Sequence, residues 1–288
     1  MAAGGVGGGG GGQILPHGGG GDRRGGAVMM RVGTSGWQYA DWRGVLYPPA
    51  LARRLWLERY GESFETVENN NTFYRLPDRR TFEDWRDRTP DTFVMAVKAS
   101  RFLTHVKRLK DPEEPVERLL AAAGGLGTKL GPILLQLPPT LTADPGRLGA
   151  CLRCFPADVR VAVEPRHASW WSDPVREVLS AHGAALCWAD RLGRPRTPLW
   201  RTTDWGYLRF HEGRAAPWPA YGDGALRSWL RRLGEAWDDR CDVHVYFNND
   251  PGGAAVRDAA RYAELAAAEG WPVSRTPAAV ARASPAAR

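Results

Sequence analysis

"DVHVYFNND", residues 242–250, alternates from Asp242 to Asn248. In an extended chain Val243, Val245 and Phe247 share one face, and His244, Tyr246 and Asn248 share the other. A half-exposed strand alternates apolar with small or charged groups. Here both faces are bulky, and the polar one grows more polar toward the end of the run. The stretch reads as a strand buried on both sides, one face against helices and the other in an enclosed polar interior.

Seven more runs share this character: 31–35 (RVGTS), 66–70 (TVENN), 93–98 (FVMAVK), 133–137 (ILLQL), 160–166 (RVAVEPR), 184–190 (AALCWAD) and 206–211 (GYLRFH). Most of the intervening segments repeat apolar residues at helical spacing, as in LARRLWLERY and ALRSWLRRLGEAW. RLGRPRTPLWRTTD, between the sixth and seventh runs, is short and proline-broken and predicts no full helix. Eight strands alternating with helices predict an α/β fold, a single TIM-type (β/α)8 barrel, ahead of a doubly wound open sheet.

A barrel of this class needs about 250 residues. The sequence has 288, of which residues 1–27 are largely glycine and predict a disordered leader, with Met29 and Met30 as alternative starts. The barrel domain is assigned to 28–271, and 272–288 is expected to be a disordered tail. The charge of +7 suggests a nucleic-acid partner until residues 1–27 and 271–288 are set aside. They carry five bases and one acid, so the remainder is only +3, and nucleic acid is not the favoured partner. Of the four cysteines, Cys151, Cys154, Cys187 and Cys241, the first two have redox or zinc spacing. No second Cys or His pair accompanies them and they sit in a helical pattern, so all four read as reduced thiols. No run approaches the roughly 20 apolar residues of a membrane span. A cytoplasmic location is expected, and nothing in the sequence sets an oligomeric state.

If the apolar parity faces helices, the other parity points inward, and the C-terminal ends of barrel strands are where sites form. Polar residues at those ends are Glu68 and Asn70, Lys98, Gln136, Glu164 and Arg166 with His167, Asp190, Arg209 and His211, and Asn248. A carboxylate and an amine from separate strands can shift each other's pKa and share proton transfer, so Glu164, Lys98 and His211 are the candidate catalytic residues. Arg166, His167 and Arg209 suit a small anion, with Glu68, Asn70, Gln136, Asp190 and Asn248 to orient it and Trp37 and Tyr74 as aromatic walls. Replacing Lys98 or Glu164 is expected to cost little stability, because functional residues are carried at a stability cost. Glu68, Glu164, Asp190 and His211 also form a conceivable divalent-metal donor set, disfavoured by Lys98, Arg166 and Arg209 in the same mouth. No cofactor is assigned.

GTSGWQYADWRGVLYP, TVENNNTFYRLP, FVMAVKASRFLTH, GPILLQLPP, VAVEPRHASWW, YLRFHE and VYFNND occur in this order. Together they strongly resemble the YecE-like family (domain of unknown function 72), over about residues 31–270. The resemblance implies a TIM-type barrel and assigns no reaction. The sequence departs from the family pattern at Asn69, where an aliphatic residue is usual, and at Pro165, where an aromatic is usual.

The functional expectation is an enzyme, hydrolase or lyase, using acid/base chemistry on a small anionic substrate such as a phosphorylated sugar or nucleotide. The alternatives are a nucleic-acid-binding or metal-dependent nuclease-like barrel and a non-catalytic metabolite sensor.

Overall fold

The computed structural model describes residues 29–237, 241–277 and 280, so the expected leader over 1–27 lies outside the described residues. The strands are β1 (Met30–Ser35), β2 (Thr66–Asn69), β3 (Val94–Lys98), β4 (Leu130–Gln136), β5 (Val161–Glu164), β6 (Ala185–Leu186), β7 (Trp188–Arg191), β8 (Arg194–Pro195), β9 (Gly206–Phe210) and β10 (Val243–Phe247). They form one curled sheet in the order β6-β5-β4-β3-β2-β1-β10-β9-β7-β8. All pairings are parallel except the β7–β8 hairpin.

Among the described residues there are thus ten strands, where the sequence predicted eight. The predicted sixth strand is split: β6 pairs with β5 and β7 pairs with β9, with only Cys187 between them. The hairpin strand β8 is the other addition. It occupies the proline-containing segment where no full helix was expected.

The outer parity packs against amphipathic helices, including α1 (Trp56–Ser63), α7 (Asp223–Ala236) and α8 (Ala254–Ala268). Trp56, Trp170, Trp188, Trp229 and Trp237 wedge between the layers, fully buried, which accounts for much of the tryptophan load. The inner parity forms a second, separate cluster: Ala96, Leu134, Ala162, Ala185, Cys187, Trp205, Tyr207 and Tyr246. Small residues from β3 to β6 leave room for large rings from β9 and β10, so this interior is filled.

Asn69, on the outer parity, is buried because its Oδ1 accepts from Asn71 N at 3.0 Å, starting the short helix α2 (Asn71–Tyr74). The expected tail boundary moves. Met30 N donates to Pro272 O at 2.7 Å, Ser274 N donates to Met30 O at 3.0 Å, and Arg275 Nη2 reaches Glu65 Oε1 at 2.9 Å. The first residues of that segment therefore lie against β1.

Candidate functional site

Above the apolar inner layer, the last inward residues of β1 to β5 and β9 are polar or charged. Ser35 and Glu68 are register partners on β1 and β2, and Ser35 Oγ donates to Glu68 Oε1 at 2.7 Å. Gln136 and Glu164 are partners on β4 and β5, and Gln136 Nε2 donates to Glu164 Oε2 at 2.9 Å. Arg209, from β9 on the far side, spans the two carboxylates. Its Nη2 lies 2.8 Å from Glu68 Oε1 and its Nη1 2.5 Å from Glu164 Oε2. Tyr207 adds a bond to Glu68 Oε2 at 2.7 Å. Glu68 is 0% exposed and Arg209 1%, so this charged frame is fully desolvated.

Desolvation by itself would push both carboxyls up. For Glu164 it is outweighed by Arg209, then His211 and Arg166, which hold it well below the usual carboxylate range. For Glu68, Arg209, Tyr207 and Lys98 outweigh burial and lower it. Both stay ionised at every physiological pH and neither suits a general acid.

Lys98 differs. Its Nζ sits 4.3 Å from the centre of the Phe73 ring, and among the described residues no carboxylate lies within 4.0 Å of it. Lys98 and Glu164, the candidate proton-transfer pair, are not in direct contact; Glu164 is taken by Arg209, Arg166 and His211. Burial, and next the neighbouring Arg209, push Lys98 down to about 8, although Glu68 and Glu164 pull the other way. An amine at this value is half neutral at about pH 8, and its neutral form can take a proton.

His211 Nε2 lies 3.0 Å from Glu164 Oε1, and its Nδ1 lies 3.4 Å from Asn248 Nδ2. Arg166 Nε reaches Glu164 Oε1 at 3.2 Å from the rim. The structure thus gathers Glu68, Lys98, Gln136, Glu164, Arg166, Arg209, His211 and Asn248 in one place. Asn70 follows Glu68 at the same mouth and carries a buried Oδ1 with no hydrogen-bond partner among the described residues.

Four predicted residues do other work. Asp190 lies on the outer parity of β7, where Tyr221 OH (2.6 Å), Trp229 Nε1 (2.7 Å) and Gly193 N (3.1 Å) all donate to it. Burial raises its pKa, with those bonds opposing. It anchors α7 and the β7–β8 turn. Trp37 leaves the β1 line after Gly36, whose φ of +93° turns the chain, and packs edge-on to Trp85 at 5.6 Å between ring centres. His167 Nδ1 accepts from Ser169 N at 3.2 Å, capping a single turn. Tyr74 is 81% exposed and meets only the edge of Phe73 among the ring contacts.

Three residues outside the predicted set belong here. Ser35 and Tyr207 bind Glu68 directly, and both sit at inward parity, a signal present in RVGTS and GYLRFH. Asp250, just past β10, is pushed up to about 7 by burial, with the Tyr39 hydroxyl opposing and Glu68 reinforcing. Its Oδ1 has no partner among the described residues. The turn-like sequence NNDPGG conceals it.

The four donors weighed for a metal do not converge, since Asp190 faces outward and Arg209 stands between Glu68 and Glu164. Among the described residues no three His, Cys, Asp or Glu side chains gather as an ion site. A cleft of about 430 Å³ opens beside the mouth, lined by Glu164, Arg166 and His211 together with Arg191, Arg196 and Glu212. No helix among the described residues is long and apolar enough to cross a membrane.

The chain is 28% identical over 269 residues to the UPF0759 protein YunF of Bacillus subtilis (strain 168), covering 82% of this chain and 94% of that protein. To the UPF0759 protein YecE of Escherichia coli (strain K12) it is 28% identical over 147 residues, 50% of this chain and 51% of that one. A crystal structure of a DUF72 family protein from Thermotoga maritima MSB8 superimposes with a TM-score of 0.70 at 29% identity, covering 82% of this chain and 98% of that one. Another, from Enterococcus faecalis V583, gives 0.69 at 19% identity, covering 82% and 95%, and shares the fold. Residues 31–282 match the family described as "Protein of unknown function DUF72", and the chain belongs to that family.

Proposed function

We propose that this protein is an enzyme of the (β/α)8-barrel type that moves a proton on a small anionic, phosphorylated substrate, with Lys98 as the base. In this reading 185–191 is one sixth strand interrupted at Cys187, and the curled sheet closes through it. The support is that the two end segments of the sheet are separated by that single residue.

The observation that carries the chemistry is the unpaired, buried amine of Lys98 beside a closed carboxylate–guanidinium frame. Buried charges are ordinarily paired, and an unpaired one is a standing cost that a catalytic role explains. Glu68, Arg209 and Glu164 fix the field around the amine. Glu164 orients His211, whose ring sits at the cleft and is suited to return a proton to the leaving group. Hydrolysis and lyase chemistry both fit this arrangement.

The test is a turnover screen against phosphorylated sugars and nucleotides, with Lys98→Met as control. Turnover by the parent that is lost in a folded Lys98→Met variant supports the reading. Turnover that survives the substitution contradicts it.

A further inference from the structure

Arg209 offers no anion a free donor pair, because both of its Nη atoms are held by Glu68 and Glu164. The guanidiniums with donors to spare lie next to it. A second cavity of about 810 Å³ shares Arg191, Arg196 and Glu212 with the cleft at Glu164 and His211, so the two are neighbours. Its lining holds four arginines, Arg191, Arg194, Arg196 and Arg214, against one carboxylate, Glu212. Only Arg191 is paired with it, at 2.7 Å. The side chains of Arg194 and Arg196 have no hydrogen-bond or ion-pair partner among the described residues, and Arg214 spends one nitrogen, Nε, on Leu192 O at 2.7 Å.

The four guanidiniums are exposed, but the turn that carries two of these arginines is held. Arg191 and Arg194 flank the β7–β8 turn, in which Leu192 and Gly193 have φ of +58° and +71°. A leucine in that region is strained, and three bonds hold the turn: Leu192 N to Glu212 O at 2.6 Å, Gly193 N to Asp190 Oδ1 at 3.1 Å, and the Arg214 contact. Across the cavity stands Trp218, 50% exposed and the one exposed ring of thirteen tryptophans. Its indole lies flat against Gly252, where an added Cβ would come within 2.4 Å of the ring. The indole is thereby seated against the backbone while half of the residue stays exposed.

We propose that this cavity is a nucleoside-diphosphate subsite, with the phosphates on Arg194, Arg196 and Arg214 and the base stacked on Trp218. Paired guanidinium donors match phosphate oxygens, and an aromatic face accepts any base. The cavity lies within the range of volumes that enclose small ligands. The proposal rests on the reading of the mouth as an active site for phosphorylated substrates and narrows its substrate class. The phosphates lie in the side cavity, and the reacting part points toward Lys98.

Calorimetric titration of the full chain with ADP, pyrophosphate and adenosine tests it. ADP should bind more tightly than pyrophosphate and adenosine more weakly than either. The exposed double substitution Arg194→Gln/Arg196→Gln should weaken ADP by about tenfold or more. Trp218→Leu should weaken ADP while leaving pyrophosphate unchanged. ADP affinity unaltered by the arginine pair, no binding of ADP or pyrophosphate at millimolar concentration in low salt, or binding confined to a single-stranded oligonucleotide would each overturn it. ADP binding without Lys98-dependent turnover would remove the catalytic reading and leave the subsite. Lys98-dependent turnover of another phosphorylated compound, without ADP binding, would do the reverse.

Discussion

Arg209 Nη1 and Glu164 Oε2 meet at 2.5 Å, both in almost complete burial, and the same guanidinium holds Glu68 on its other nitrogen. Each charge is tolerable only because the others are present. Arg209→Met would take from two buried carboxylates the fully buried cation they share, and removing one partner of such a set costs roughly 3–5 kcal/mol. Urea denaturation of the variant should show a loss of that order or failure to fold. A loss under about 1 kcal/mol would mean the frame is solvated in solution.

Glu164→Gln belongs with Arg209 and should be destabilising by the same mechanism, against the expectation from sequence that it costs little. Lys98→Met should behave in the opposite way. The folded pKa of Lys98, about 8, lies below its ordinary 10.5, so the unfolded chain binds the proton more tightly between those values. The cost of keeping this lysine is therefore full below pH 8 and is relieved as pH rises toward 10.5. Denaturation curves should show Lys98→Met more stable than the parent at pH 7, by at most roughly 3 kcal/mol, with the gap closing above pH 8. A variant less stable than the parent at pH 7 would contradict this.

Strand parity explains why so much of the mouth was legible. With a period of two, knowing that Val163 and Leu208 face helices fixes Glu164 and Arg209 inward, and the same holds for Glu68, Lys98 and Gln136. Asp190 was misassigned although parity excluded it: Leu186, Trp188 and Asp190 share the outer face, while Ala185 and Cys187 are inside. Pairing was not legible. Which acid takes which base depends on the reach of Arg209 across the interior, and no spacing in the chain encodes it. Trp37 escaped because a single positive φ at Gly36 ends the alternation one residue earlier than the sequence suggests.

Asp190 should prove structural. Asp190→Ala strands the Tyr221 hydroxyl, the Trp229 N–H and the Gly193 N–H, each a buried donor costing on the order of 1–3 kcal/mol unpaired. The variant should lose several kcal/mol by denaturation and expose the β7–β8 turn to limited proteolysis. Wild-type stability in this variant would show that Asp190 does not anchor the turn.

Asp250 supplies a second pH signature. Burial raises its folded pKa to about 7 from the ordinary 3.8, so its contribution to stability is present below pH 3.8 and is lost as pH rises through 7. Asp250→Asn should match the parent near pH 4 and exceed its stability at pH 8. Equal stability of the two proteins at both values would place the carboxylate in water.

The claim on which the functional reading stands is that Lys98 is an unpaired amine poised to lose its proton. Its pKa can be read directly by NMR titration of the lysine side-chain carbons, with Lys98→Met identifying the signal. The account predicts a midpoint near 8. A midpoint at the ordinary lysine value of about 10.4 would contradict it.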